Sequence, residues 1–175
     1  MRIRLAKKAD RDEIWNIFHE VVAAGDTYAL DPNISRKDAL AYWFGPDAHT
    51  YVAELAARSS QRSRLRRTRR ITGTYILRPN ESGGGSHVAN AGFMVSASVR
   101  GQGIGRAMAE HCLSEARRLG FRAMQFNFVV STNTPAICLW KELSFKIVGT
   151  LPGAFSHPQK GYVDVYVMHR SLVEG

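Results

Sequence analysis

The sequence predicts an α/β fold in which helices flank a mixed β-sheet. Apolar residues recur at helical spacing over 11–23 and 103–119, and they form strand-like runs over 87–95 and 123–130. The second of these strands follows the first through a glycine-rich loop and one helix, with no room for a hairpin. Such strands are expected to be parallel neighbours joined by a right-handed crossover.

Local signals indicate the elements that precede this unit. Residues 2–5 alternate as a short first strand does. Asp10 followed by Glu13 is a capping-box-like start for the first helix. Ser35 is the predicted cap of a second helix.

Four further strands and a last helix complete the prediction. The strands cover residues 50–55, 71–77, 146–151 and 162–168. The last helix is capped by Asn133 or Thr134 and has a proline in its first turn. The first two of these strands are joined by residues 58–70, interpreted as a basic loop inserted into a single domain that spans residues 1–175.

Length and composition fit a soluble globular protein. At 175 residues, 45% of them hydrophobic, the chain can bury a sizeable core. The amino terminus lacks the apolar stretch of a signal peptide, and no run approaches the ~20 apolar residues of a membrane span. A cytoplasmic location without a membrane partner is therefore expected. Cys112 and Cys138 offer neither a disulfide framework nor a zinc-site spacing, so both are predicted to be small core residues and no metal is expected.

The net charge of +9 is concentrated in one segment. Seven arginines between residues 58 and 70 have no acidic residue among them, which leaves +2 for the rest of the chain. A solvated loop is the favoured interpretation, and the alternative is a docking surface for RNA, an anionic lipid or an acidic partner. Because no aromatic residue interleaves these arginines, base stacking is unsupported and a nucleic-acid partner is disfavoured.

The most specific motif is the segment from Arg100 to Gly105, which reads Arg-Gly-Gln-Gly-Ile-Gly. Its glycines let the backbone turn sharply and bring N–H groups close to a ligand, and the following helix directs its positive dipole end to the same place. The spacing differs from the Gly-x-Gly-x-x-Gly of dinucleotide sites, and no Gly-Lys-Ser/Thr follows for a nucleoside triphosphate. The segment therefore predicts a cradle for the pyrophosphate of another ligand.

This segment resembles the Arg/Gln-x-x-Gly-x-Gly/Ala motif of the GNAT family of acetyl-CoA-dependent N-acetyltransferases. Residues 133–145 resemble the family's Asn-x-x-Ala-x-x-Leu-Tyr-x-x-x-Gly-Phe segment. The resemblance implies a GNAT-like mixed sheet with splayed central parallel strands, and an enzyme that moves an acetyl group from acetyl-CoA to an amine. Ser144 replaces the family's common glycine, which costs on the order of 1 kcal/mol if the position requires a positive φ.

The resemblance also implies how acetyl-CoA is held. The pantetheine arm enters the gap between the splayed strands and pairs with free backbone groups of the first strand. A strand N–H directed at the thioester carbonyl would stabilise the developing oxyanion by ~3 kcal/mol. The residues thus assigned to the cofactor are Phe93, Met94, Val95, Arg100, Gly101, Gln102, Gly103, Ile104, Gly105, Arg106 and Asn133.

The chain departs from the family where protons are usually transferred. Trp140 stands in place of a tyrosine that many members offer as general acid, and residues 87–95 contain no glutamate to serve as base. Trp140 is interpreted as a packing residue or a wall of the cleft. Catalysis is then expected to rest on positioning, desolvation and water-relayed proton transfer, with His87 and Ser131 as the remaining side-chain candidates.

Two asparagines interrupt apolar strand segments on either side of the expected gap. Asn90 precedes the glycine loop, and Asn127 follows the crossover. A buried amide without partners costs ~1–3 kcal/mol, so each is expected to join a network or to bind a ligand. Their surroundings resemble the GNAT branch that acetylates proline analogues such as azetidine-2-carboxylate. We therefore expect a small amino or imino acid as acceptor, oriented by Asn90 and Asn127, with Thr27 or Tyr28 lining the cleft.

Two other functions stay open from the sequence. The acceptor can instead be a protein or peptide amine, with the arginine segment as docking face. A CoA-binding regulatory module without catalysis would explain the absent tyrosine and glutamate. The exposed carboxyl-terminal strands leave a homodimer open, because nothing in the residues fixes the oligomeric state.

Overall fold

The computed structural model describes residues 1–56 and 69–173. Within these residues, seven strands form one mixed sheet in the order β1-β2-β3-β4-β5-β7-β6. The strands are β1 (Arg2–Leu5), β2 (His49–Ala56), β3 (Arg69–Pro79), β4 (Val88–Val95), β5 (Ala123–Val130), β6 (Lys146–His157) and β7 (Gly161–Ser171). The helices are α1 (Arg11–Ala23), α2 (Arg36–Trp43), α3 (Ile104–Arg118) and α4 (Thr134–Glu142).

The predicted α/β fold is confirmed, and its central feature is the pair β4 and β5. These strands are parallel, as the crossover predicted, but they pair only at Val88 with Ala123 and at Ala89 with Met124. Beyond those positions β4 stays bonded to β3 and β5 to β7. The two central strands therefore splay apart, in the way that the GNAT resemblance implied.

Two of the three predicted helix caps are confirmed. Ser35 caps α2 by accepting a hydrogen bond of 3.1 Å from the Asp38 N–H, and Asn133 caps α4. The capping box predicted for α1 is wrong. The Asp10 carboxylate instead binds Arg4 of β1, and Glu13 accepts a hydrogen bond of 3.0 Å from the backbone of β3. Both carboxylates are used in tertiary contacts that hold α1 on the sheet.

Each face of the sheet has its own core. Under α1 and α2, Trp43 is fully buried and its indole N–H donates to Thr74 Oγ1 at 2.9 Å. On the other face α3 and α4 pack over the sheet, and Cys112 is buried there as predicted. The same prediction for Cys138 is wrong, because α4 turns Ile137 and Trp140 toward the sheet and leaves Cys138 exposed.

The arginine-rich segment lies largely outside the described residues, which resume at residue 69. The predicted loop boundary at 70 is wrong, because Arg69 and Arg70 already pair with Ala56 and Leu55 of β2. Backbone pairing extends past the apolar run that marked the strand in the sequence. In the described parts of the chain, no helix has the length and hydropathy needed to cross a membrane.

Ser144, just after α4, adopts a φ of 64°, and among the described residues it is the one non-glycine with a positive φ. Replacing it by glycine (Ser144→Gly) is expected to raise the free energy of unfolding by about 0.5–1 kcal/mol, because the strain at Cβ disappears. Urea denaturation measures the change.

The matched control is Ser114→Gly, at an exposed position inside α3. There the same substitution is expected to lower stability by about 0.5 kcal/mol, because glycine is a poorer helix former than serine. Destabilisation of similar size by both substitutions would contradict the assignment of strain to Ser144.

Candidate active site

The backbone of β4 presents free hydrogen-bonding groups to the gap. On the side of β3, the Val88 carbonyl accepts a hydrogen bond of 2.8 Å from the Asn80 N–H, and the Ser96 N–H donates one of 2.9 Å to the Thr72 carbonyl. Alternate residues of a strand bond to opposite sides, so the odd-numbered residues of β4 direct their N–H and C=O groups toward β5. Pairing with β5 stops at Ala89. The backbone groups of Phe93 and Val95 therefore face the gap.

Tyr28, in the connection between α1 and α2, reaches one of these groups. Its hydroxyl donates to the Phe93 carbonyl at 3.0 Å. Burial raises the pKa of Tyr28 well above its ordinary value, so the hydroxyl stays neutral and remains a donor near pH 7. A Cβ on Gly92 would lie 3.1 Å from this oxygen, so the glycine allows the close approach.

A cavity of about 320 Å³ opens where β4 and β5 diverge, and both faces of the sheet contribute to it. Tyr28 and Tyr42 line it from the side of α1 and α2, and Ala136 and Trp140 of α4 line it from the other side. Of the residues predicted for the site, the lining includes Thr27, Tyr28, Asn90, Phe93, Asn127 and Asn133.

Three of the other predicted residues lie away from both the cavity and the glycine loop. Met94 is buried in the core beneath α1 and α2, because its side chain and backbone both point away from the gap. His87 is exposed at the paired end of β4, where its Nδ1 lies 3.1 Å from the Gly84 carbonyl. Ser131 follows β5, and its backbone N–H donates to the Asp164 carbonyl at 2.9 Å. The structure therefore does not bring His87 or Ser131 to the cavity.

Trp140 has both roles that the sequence left open. It is only 8% exposed, and its ring centroid lies 5.1 Å from that of Phe93 and 4.6 Å from that of Phe126. Trp140 also lines the cavity. It is a packed wall of the site without an acidic proton.

The two predicted asparagines meet at a third one that the sequence analysis assigned to a flexible loop. Asn90 and Asn127 donate from Nδ2 to the same atom, Asn80 Oδ1, at 3.0 and 2.7 Å. The expected burial is wrong: Asn90 is half-buried and Asn127 is exposed. A register shift in β5 between Phe126 and Val129 turns this part of the strand outward. The only available signal for Asn80 was its place just beyond a predicted strand.

Arg78 is a further lining residue that the sequence analysis missed. It stands directly opposite Asn90 in the β3–β4 ladder, so the two side chains share one face of the sheet. Its guanidinium carbon lies 5.0 Å from the centroid of the Tyr42 ring, a cation–π contact.

The glycine loop leads into an uncapped helix start. Gly101 and Gly103 have φ of 76° and 77°, and no side chain within the described ranges caps α3. Its first intrahelical bond runs from the Ala107 N–H to the Gly103 carbonyl. The N–H groups at the start of α3, before that of Ala107, are therefore available to an anion. A pyrophosphate requires such a set of donors. Arg106 forms an ion pair with Glu142 that ties α3 to α4.

Comparison with known proteins places this geometry in a family. The model of the acetyltransferase (GNAT) family matches residues 15–145. The curated N-acetyltransferase aca1 of Schizosaccharomyces pombe is 33% identical over 155 residues, which cover 83% of this chain and 72% of that protein. The chain therefore belongs to the GNAT family, and it is an acetyltransferase.

Solved structures agree with this assignment. A GCN5-related N-acetyltransferase from Kribbella flavida is 43% identical and has a TM-score of 0.86. The alignment covers 97% of this chain and 96% of that one. A GNAT superfamily phosphinothricin acetyltransferase from Sinorhizobium meliloti, in complex with AcCoA, shares the fold at 21% identity. Its TM-score is 0.80, and the alignment covers 99% of this chain and 89% of that one.

Removing the Tyr28 hydroxyl (Tyr28→Phe) is expected to lower the free energy of unfolding by about 1 kcal/mol, because the Phe93 carbonyl loses its donor. Chemical denaturation measures the loss. Tyr162→Phe is the matched control. Tyr162 is 81% exposed, so the loss of its hydroxyl should leave the free energy of unfolding unchanged. Equal effects of the two substitutions would show that the bond to Phe93 contributes nothing.

Proposed function

We propose that this protein transfers the acetyl group of acetyl-CoA to the amine of a small amino or imino acid. The observation that carries the proposal is the cavity at the diverging strands, which has free β4 backbone groups on one side and a cluster of amides on the other. The neighbour from Sinorhizobium meliloti, solved with AcCoA, supports acetyl-CoA as the co-substrate. A cytoplasmic location stays a prediction from the sequence.

The residues present fit acetyl-CoA. When bound, it would supply a thioester whose C–S bond is replaced by the N–C bond of the product, while the amine proton passes to the leaving thiolate. The uncapped start of α3, with Gly101 and Gly103, would hold the pyrophosphate through backbone N–H groups. The backbone of Phe93 and Val95 would pair with the pantetheine arm, and the Phe93 N–H would stabilise negative charge on the acyl oxygen.

The acceptor would enter from the side of α1 and α2. Thr27, Tyr28, Asn90 and Asn127 line that part of the cavity. Within the described residues, no aspartate, glutamate or histidine lines it. The amine is therefore proposed to attack in its neutral form, held in position by these side chains, with its proton carried away by water.

A protein or peptide amine is the second candidate. A groove of about 540 Å³ adjoins the cavity, and Arg78 lines both of them. This groove offers room for the residues that follow the amine of a longer acceptor.

Binding of acetyl-CoA is tested at the glycine loop. Gly103→Ala is expected to weaken acetyl-CoA binding about tenfold, because alanine resists the positive φ and shifts the N–H donors. Calorimetric titration measures the affinity. Gly161→Ala is the control, with a similar φ of 70° and open space around an added Cβ, but at the start of β7. If both variants bind acetyl-CoA equally well, the loop does not hold the cofactor.

The acceptor is tested by acetyl-CoA-dependent thiol release with amino acids, proline analogues, polyamines and amino-terminal peptides, with products checked by mass. Turnover is expected with a free amino or imino acid. Asn127→Ala should raise the KM of that acceptor roughly 5- to 20-fold and leave the KM of acetyl-CoA unchanged, because one ligand hydrogen bond is lost.

Asn16→Ala, at an exposed position of α1, is the matched control and should leave both KM values unchanged. Turnover with peptides alone would favour the second candidate. Binding of acetyl-CoA without turnover of any acceptor would favour a regulatory module.

A further inference from the structure

Arg78 is the one charged side chain in the cavity lining that the structure describes. Its guanidinium rests on the Tyr42 ring and is half-buried. Two carboxylates, Asp47 and Glu81, line the adjoining groove. Across residues 1–56 and 69–173, however, no carboxylate oxygen lies within 4.0 Å of its nitrogens. Its charge is therefore open to a ligand.

The amides of Asn80, Asn90 and Asn127 offer a ligand mainly hydrogen-bond donors and few acceptors. Asn80 Oδ1 already accepts two hydrogen bonds, which fills the lone pairs of that oxygen. Asn127 Oδ1 accepts a further one from Gln125 at 2.8 Å. The Nδ2 groups of Asn90 and Asn127 each keep a second N–H. A guanidinium that lines the same cavity as amides with spare N–H groups is suited to a planar anion with two oxygens.

We infer that Arg78, together with Asn90 and Asn127, binds the α-carboxylate of the acceptor, so that the enzyme selects amino or imino acids with a free carboxylate. This inference rests on the proposed function and defines its substrate class. Esters and amides of the same acceptors keep the amine but lose the negative charge. Polyamines bring a second positive charge and are repelled by Arg78.

The position of Arg78 also fits the short distance between carboxylate and amine in an α-amino acid. Asn90, its cross-strand partner, precedes Gly92 by two residues, or roughly 7 Å along a strand. A hydrogen bond of about 3 Å to the carboxylate leaves the amine, one carbon further on, beside Gly92 and Phe93. The cation also favours the neutral form of a nearby amine, which is the nucleophilic form.

The experiment compares Arg78→Gln and Arg78→Lys with the wild type on the best free amino or imino acid and on its methyl ester. The wild type should prefer the free acid by roughly 10- to 100-fold in kcat/KM. Arg78→Gln should remove most of this preference by raising the KM of the acid, with little change for the ester. Arg78→Lys should restore part of it, because it keeps the charge without the planar fork.

Arg122→Gln is the matched control, because it removes one positive charge from an exposed position outside the cavity lining. It should behave as the wild type. The affinity for acetyl-CoA, measured by calorimetry for every variant, reports whether the fold is intact.

The outcomes separate this inference from the function on which it rests. Turnover of free amino acids with an unchanged acid-to-ester ratio in Arg78→Gln overturns the carboxylate site and keeps the proposed function. A wild type that acetylates esters, amides or polyamines as well as free acids overturns it too. A wild type that acetylates no amino or imino acid overturns both.

Discussion

The early end of pairing between β4 and β5 is the constraint on which the rest of the site depends. Only two residue pairs join these strands, at Ala89 with Met124 and at the pair before it. Each buried backbone group without a partner costs about 1–3 kcal/mol, so such a gap persists only when the strands are held from outside. β3 and β7 provide this support, because β4 and β5 are bonded to them along most of their length. Tyr28 satisfies the Phe93 carbonyl, and the remaining groups face the cavity.

Aromatic packing keeps the gap from collapsing. Phe93 of β4 and Phe126 of β5 both contact Trp140, with ring centroids 5.1 and 4.6 Å away. Tyr75 stacks behind Phe93 at 5.4 Å, and Phe145 stacks on Phe126 at 4.5 Å. The indole thus fills the α4 side of the space between the strands. A tyrosine at this position could donate a proton, whereas tryptophan contributes only shape and apolar surface.

The sequence predicted those parts of the site that depend on neighbours along the chain. The glycine loop, the Asn133 cap and the βαβ crossover are local patterns, and the structure has all three. It did not predict Arg78 or Asn80, because their relation to Asn90 and Asn127 depends on strand register. The helix cap predicted at Asp10 is wrong for a similar reason. A carboxylate ahead of a helix looks like a cap, but here the Arg4 guanidinium lies 2.7 Å away and holds the pKa of Asp10 below its usual range.

The absence of the family's usual proton-transfer residues is consistent with the proposed chemistry. Tyr28 stays protonated because burial raises its pKa, and the lining residues that the structure describes include no carboxylate. A site without a general base requires an acceptor that arrives as the neutral amine or loses its proton on binding. Desolvation and the charge of Arg78 both lower the pKa of a bound amine, because each disfavours the ammonium form. A carboxylate at the same place would stabilise the ammonium ion and oppose attack. The proposed binding of the acceptor's carboxylate by Arg78 would therefore also promote the reactive state of its amine.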